Sequence, residues 1–181
     1  MLPIGVCRCH DLLSQGRVGR RQLLRALAVA GIAATLPHPA AAAEGEYDAM
    51  LLSCIDPRMV APVYKYMQAQ GLDGKYSQFC IAGAAIAVVA PKFSAWRSAF
   101  WDNTATSLQL HRINKIIAID HRDCGAAKVA YGDDAIANPQ VETKTHREVL
   151  AEFRAAVARQ HPQLDVVTGL MALDGSIEIF T

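Results

Sequence analysis

Between residues 48 and 180 the chain alternates short apolar runs with stretches whose apolar positions fall at helical spacing. Asp48-Ala-Met-Leu-Leu-Ser-Cys54 is apolar between polar ends and reads as a buried strand, which Pro57 stops. Val63 to Gln70 carries apolar or aromatic residues at 63, 64, 66 and 67 and predicts a helix, with Gly71 in the C′ position. Tyr76 to Ile81 predicts a second strand. Ala82 to Ala90, with Gly83 near its start and Pro91 closing it, is small and apolar throughout and fits either backbone.

Ser94 is placed to cap a helix running to about His111, with Trp96, Phe100, Thr104, Ser107 and Leu108 near one face. Asn114-Lys-Ile-Ile-Ala-Ile-Asp120 is the strongest strand signal, and it feeds directly into His121. Thr145-His-Arg-Glu148 has the form of a capping box, followed at helical spacing by Val149, Leu150, Phe153, Ala156 and Val157, with Pro162 beyond. Leu164 to Leu173 and Ser176 to Phe180 flank Asp174-Gly175, a hairpin signal. No internal repeat is visible. The pattern predicts an α/β fold: a mostly parallel β-sheet flanked by helices, finishing in a C-terminal antiparallel hairpin.

Ahead of this lies a segment of different character. Gly19-Arg20-Arg21-Gln22-Leu23-Leu24-Arg25 precedes an apolar run from Ala26 to Leu36, and a small-residue tail reaches Ala43. A basic start, an apolar middle and an Ala-x-Ala end are the parts of a secretory signal, and paired arginines before leucines match the twin-arginine type. Residues 1–43 are therefore read as a twin-arginine-type signal peptide and 44–181 as one domain, exported to the periplasm or beyond. The alternative is an amphipathic helix over 20–36 that packs on the domain or on a partner. The run is too short to span a bilayer, and no other stretch is suited to stable membrane insertion. The whole chain of 181 residues is 52% apolar, with 18 basic and 17 acidic residues. Removing 1–43 takes five arginines and Asp11, leaving 13 basic and 16 acidic residues and a formal charge of −3. With no basic stripe left, nucleic acid is excluded as an expected partner.

The same cleavage removes Cys7 and Cys9 and leaves Cys54, Cys80 and Cys124, an odd number and a poor disulfide framework. Either one disulfide forms beside a free thiol, or two thiolates bind metal while Cys80 is buried. Cys54-Ile-Asp-Pro-Arg58 and His121-Arg-Asp-Cys124-Gly-Ala each stand at the carboxyl end of an apolar run, where parallel sheets gather their sites. Two thiolates and one imidazole are a zinc ligand set that leaves a fourth position open. Cys54, Asp56 and Arg58 alternate, so an extended strand end would place them on one side, with Arg58 clamping Asp56. The Cys-Gly-Ala after His121 suits a tight turn into a helix start, where backbone N–H groups favour a thiolate.

Cys-x-Asp-x-Arg followed by His-x-x-Cys-Gly-Ala resembles the β-class carbonic anhydrases. The likeness extends over about 48–180, including Ala82-Gly83 and Gly169-Leu-Met-Ala-Leu-Asp174-Gly175. It implies a zinc lyase, a carbonate dehydratase that hydrates carbon dioxide reversibly to bicarbonate by a zinc-bound hydroxide, built on a homodimer or higher homo-oligomer. It implies Zn2+ on Cys54, His121 and Cys124, with Asp56 and Arg58 as a catalytic dyad and Asp56 a metal ligand in a resting form only. Ala84, Ala85, Ile86 and Val88 would wall the substrate, and His111 and His146 are candidate proton carriers. A carbonyl sulfide or carbon disulfide hydrolase would use the same site, and a non-catalytic zinc-binding domain would need only the ligands. The sequence departs from the family where Cys80-Ile81 replace Arg-Asn and Asp120 replaces glycine. After cleavage, Glu44 to Tyr47 would stand where the family has an N-terminal helical arm.

Overall fold

Ala49–Ser53 (β1) is buried at every position, as expected of a strand covered on both faces. A computed structural model describes residues 46–181. The signal-like segment, its cleavage point and the alternative helix over 20–36 lie outside the described residues. Four further strands, Tyr76–Cys80 (β2), Lys115–His121 (β3), Asp165–Met171 (β4) and Ile177–Phe180 (β5), complete one sheet in the order β2-β1-β3-β4-β5. β1 pairs in parallel with β2 and β3, and β3 with β4, whereas β4 and β5 form the expected antiparallel hairpin.

Side-chain alternation along the strands builds two cores. Ala49 and Leu51 of β1 join Ile117 and Ile119 of β3 on one face, where the helix Val60–Ala69 (α1) adds Val63 and Met67. Met50, Leu52, Ile116 and Ala118 point to the other face. There they meet the short helix Ala85–Val89 (α2), the helix Arg97–His111 (α3) through Phe100, and the helix Pro139–Gln160 (α5) through Leu150, Phe153 and Val157. Gly125–Tyr131 (α4) follows the second ligand motif directly. Gly71, at φ +72°, ends α1 as its position predicted. Among the described residues no helix is long and apolar enough to cross a membrane.

Two helix starts differ from the sequence reading. Ser94 lies inside a 3-10 helix, Pro91–Trp96, and α3 begins at Arg97 with no side-chain cap. Thr145 is in the middle of α5, not at its start: Asn138 caps the helix by accepting from the N–H groups of Gln140 and Val141 at 3.1 and 3.0 Å, and Pro139 occupies the first turn. The Thr145 hydroxyl instead donates to the Val141 carbonyl at 3.0 Å, within its own helix. The first turns escaped the apolar pattern because their buried positions, Glu142 and His146, are polar. The undecided segment 82–90 contains α2, all five of whose residues are buried.

Phe153 is fully buried and meets Phe100 edge to face at 5.5 Å. Phe153→Ala is expected to cost roughly 3–5 kcal/mol, read as a lower denaturant midpoint at unchanged slope.

Candidate metal centre

Cys54 is the first residue beyond β1, and His121 is the last residue of β3. Because these strands are adjacent and parallel, with Ser53 opposite Ile119, both motifs emerge at the same sheet edge. Asp123 then adopts φ +55° and turns the chain so that Cys124 stands at the N-cap of α4. The ligand-capable atoms of Cys54, His121 and Cys124 all lie within 4.8 Å of one another. Cys54 is half-buried, and His121 and Cys124 are each 1% exposed.

The donor set fits a metal ion. The His121 Nδ1 lies 2.8 Å from the Arg122 carbonyl oxygen, which can only accept, so the ring proton belongs on Nδ1. That leaves the Nε2 lone pair free, and Nε2 is buried without a hydrogen-bond partner. A backbone carbonyl fixing the outer ring nitrogen is the usual support of a metal-bound imidazole. The Cys54 thiol is pulled down to about 4, first by the hydrogen bond from Cys124 and against burial, with His121 and the Gly83 N–H assisting. Cys124 is raised because it keeps the proton it shares with Cys54, and burial adds to this. Burial lowers His121, but the nearby Cys54 thiolate outweighs it and the ring ends above its ordinary value. Among the described residues Cys54, Cys80 and Cys124 are free thiols, and Cys80 is exposed rather than buried.

Asp56 and Arg58 are brought to this centre, but not on an extended strand end. Pro57–Met59 forms a 3-10 turn whose N-cap is Asp56. The clamp holds nevertheless: Arg58 Nε donates to Asp56 Oδ1 at 3.0 Å and Nη2 to Oδ2 at 2.7 Å. Its Nη1 donates to Asp123 Oδ2 at 2.8 Å and Nη2 also to the Asp123 carbonyl at 3.1 Å, so one guanidinium ties the two motifs together. Asp56 Oδ2 stands 3.9 Å from His121 Nε2. The Arg58 hydrogen bonds hold the Asp56 carboxyl at about 2.

Other expected participants fall elsewhere. Ala84, Ala85, Ile86 and Val88 belong to the main core. The cavity of about 160 Å³ beside Cys54 is bounded instead by Leu51, Met59, Val63, Tyr76 and Gln78, between α1 and the sheet. His111 ends α3 and packs on Tyr47, before β1, at the opposite end of the strands from His121. His146 is fully buried. Neither has the exposure and position that a proton carrier from His121 to solvent needs. Sequence reasoning missed Glu142. Its carboxylate, 6% exposed as a residue, accepts from the Asp123 N–H and from Arg122 Nη1 at 3.2 Å, bracing the ligand turn from α5. It also missed Asp123, whose sequence signal was a second carboxylate inside the His121–Cys124 motif.

No family model matches the sequence. A solved β-carbonic anhydrase from Coccomyxa, in complex with acetazolamide, superposes with a TM-score of 0.50 over 75% of this chain and 72% of that one, at 14% identity. The chain has the β-carbonic anhydrase fold. An uncharacterized protein of Rickettsia bellii (strain RML369-C) is 35% identical over 133 residues, 74% of this chain and 81% of its own length. A second uncharacterized protein, from Rickettsia conorii (strain ATCC VR-613 / Malish 7), is 33% identical over 133 residues, 74% and 72% of the two lengths. The chain belongs to one family with these rickettsial proteins.

The Asp56 carboxyl should titrate at about 2, below its ordinary 3.8. Its folded value is the depressed one, so the clamp contributes stability in full above the ordinary value and loses it as pH falls towards 2. Carboxyl NMR should show that midpoint, and Arg58→Ala should return it towards 3.8.

Proposed function

We propose that residues 44–181 form a zinc enzyme that interconverts carbon dioxide and bicarbonate, exported by the segment 1–43. The observation that carries this reading is the set of three soft or borderline donors within 4.8 Å, with an Arg-clamped carboxylate oxygen 3.9 Å from the imidazole donor nitrogen. Cys54, His121 and Cys124 would hold Zn2+, which supplies a Lewis acid able to make a nucleophile of water near neutral pH. Asp56, kept ionised by Arg58, accepts the hydrogen bond that fixes the orientation of the attacking oxygen. Arg58 prevents the carboxylate from rotating, since its Nε and Nη2 grip Oδ1 and Oδ2 at once. The other arm of the guanidinium, Nη1, pairs with Asp123 and keeps the Asp56 loop in register with the His121–Cys124 loop.

A purely structural zinc site has no use for that dyad, which favours catalysis over a non-catalytic zinc-binding domain. Ile55, Val60 and Tyr64 are 63%, 69% and 46% exposed, and all three lie on the Cys54–α1 segment. Such a cluster of bare apolar side chains supports a homodimer or higher homo-oligomer assembled over this side.

Metal analysis and stopped-flow carbon dioxide hydration on the purified protein test the reading. One zinc per chain with turnover is the expected result. Full zinc with no turnover of carbon dioxide, carbonyl sulfide or carbon disulfide would leave only a zinc-binding domain, and turnover of the sulfur compounds alone would reassign the electrophile. Cys54→Ser and Cys124→Ser should each lose the metal. Asp56→Ala should keep it and lose turnover by roughly 10²-fold or more; undiminished turnover would remove Asp56 from the mechanism.

A further inference from the structure

Asp120 and His146 are almost completely enclosed, at 1% and 0% exposure. Asp120 is the residue of β3 immediately before His121, and His146 comes from α5 on the packed face of the sheet. Asp120 Oδ2 lies 2.8 Å from His146 Nδ1, and Oδ1 accepts the Ala85 N–H at 3.0 Å. Ala85 opens α2, and the residue before it, Ala84, has no side chain that can cap a helix and adopts φ +47°. A non-glycine residue at positive φ persists only where its surroundings hold it there. The Asp120 carboxylate does this, serving as the cap that Ala84 cannot provide.

The turn so held also bears on the metal centre. Gly83, at φ +85°, donates its N–H to Cys54 Sγ at 3.2 Å. The turn has no slack on its other side, because a Cβ at Gly83 would stand 2.8 Å from the Ala126 Cβ of α4. A chain of contacts thus runs from His146 through Asp120 to the Ala85 N–H, and through the turn to the Gly83 N–H on the Cys54 sulfur. A buried acid–imidazole pair is an expensive way to fill a core, since apolar side chains of the same volume do it at least as well. Its placement on this turn gives it another use. We propose that Asp120 and His146 are positioning residues for the metal centre, fixing the Gly83–Ala85 turn so that its N–H is aimed at the Cys54 thiolate and sets that ligand's donor strength. In its consequence for the metal, this rests on the reading of Cys54, His121 and Cys124 as ligands.

The test uses Asp120→Ala, Asp120→Asn and, as a control for lost stability alone, Val157→Ala in the same core. In metal-stripped protein, NMR should show the Gly83 and Ala85 amide protons exchanging faster in Asp120→Ala and the Gly83 proton moving from its sulfur-bonded shift. In cobalt-substituted protein, the thiolate-to-cobalt band should move and metal affinity should fall roughly 10–100-fold. Asp120→Asn, which keeps an oxygen for the Ala85 N–H, should recover most of both, and Val157→Ala should change neither. Should Asp120→Ala fail to fold, His146→Leu, which takes the imidazole from the same carboxylate, carries the test with the same readouts. Unchanged Gly83 exchange and an unchanged cobalt spectrum would overturn the proposal, as would an equal loss of affinity in Val157→Ala. If the wild-type protein takes up no cobalt or zinc, the metal reading fails, and the amide measurements alone still decide whether the pair positions the turn.

Discussion

The in-register parallel pairing of β1 with β3 is the constraint from which the site follows. Cys54 and His121 are far apart along the chain, yet Cys54 directly follows β1 and His121 ends β3, with Ser53 opposite Ile119. A parallel ladder aligns carboxyl ends, so a ligand on each strand end is delivered to the same edge without any long loop having to find it. A shift of one residue in either strand would turn its ligand towards the opposite face and exchange the two cores, Leu51 for Leu52 and Ile117 for Ala118. The packing that specifies the register is therefore also what brings the Cys54 and His121 donors together. The core side chains Leu51, Leu52, Ile117 and Ala118, all 3% exposed or less, maintain that register under the site.

Around this frame the polar contacts form two groups with different roles. The exposed group is Arg58 with Asp56 and Asp123, a fork that spans both ligand loops in contact with solvent. Exposed ion pairs contribute little to stability, so the value of this one lies in direction: it fixes where the Asp56 oxygens point. The buried group is Glu142 under the His121–Cys124 turn and Asp120 with His146 under the Gly83–Ala85 turn. Each buried carboxylate satisfies backbone N–H groups in a tight turn, at Asp123 and at Ala85, that the turn's own residues do not satisfy. Enclosure makes these bonds stiff, because a lost partner would leave an unpaired charge in the core.

Much of this was legible in the sequence. The strands announced themselves because β1 and β3 carry unbroken apolar runs, Ala49 to Leu52 and Ile116 to Ile119, and the Cys54 and His121 motifs were conspicuous because they stand just beyond those runs. The Asp174-Gly175 turn gave the hairpin for an equally local reason. What local pattern could not supply were partners distant in sequence. Glu142 and His146 occupy buried positions of α5 and so interrupt its apolar stripe, which displaced the expected helix start from Asn138 to Thr145. The alternation of Cys54, Asp56 and Arg58 gave the right clamp for an inexact reason: Pro57 begins a 3-10 turn, and Asp56 caps it.

The departures from the β-carbonic anhydrase sequence pattern that the chain resembles become intelligible from these contacts. A glycine before His121 would ask nothing of its neighbours, whereas an aspartate buried there requires a donor from elsewhere, and α5 supplies His146 beside it. The substitution at 120 and the imidazole at 146 are thus one feature carried by two elements, and neither makes physical sense alone. At position 80 the change runs in the opposite direction. Cys80 brings no charge to the cavity beside Cys54; its sulfur lies 3.3 Å from the Ser53 hydroxyl and accepts from Gln78 at 3.1 Å, and apolar Leu51, Met59 and Val63 form the opposite side. Where an arginine would have offered a fixed cation to anions, this cavity offers weak dipoles and sulfur. The buried charged groups nearest the centre accordingly stand behind its loops, at Asp120 and Glu142, rather than on the cavity wall.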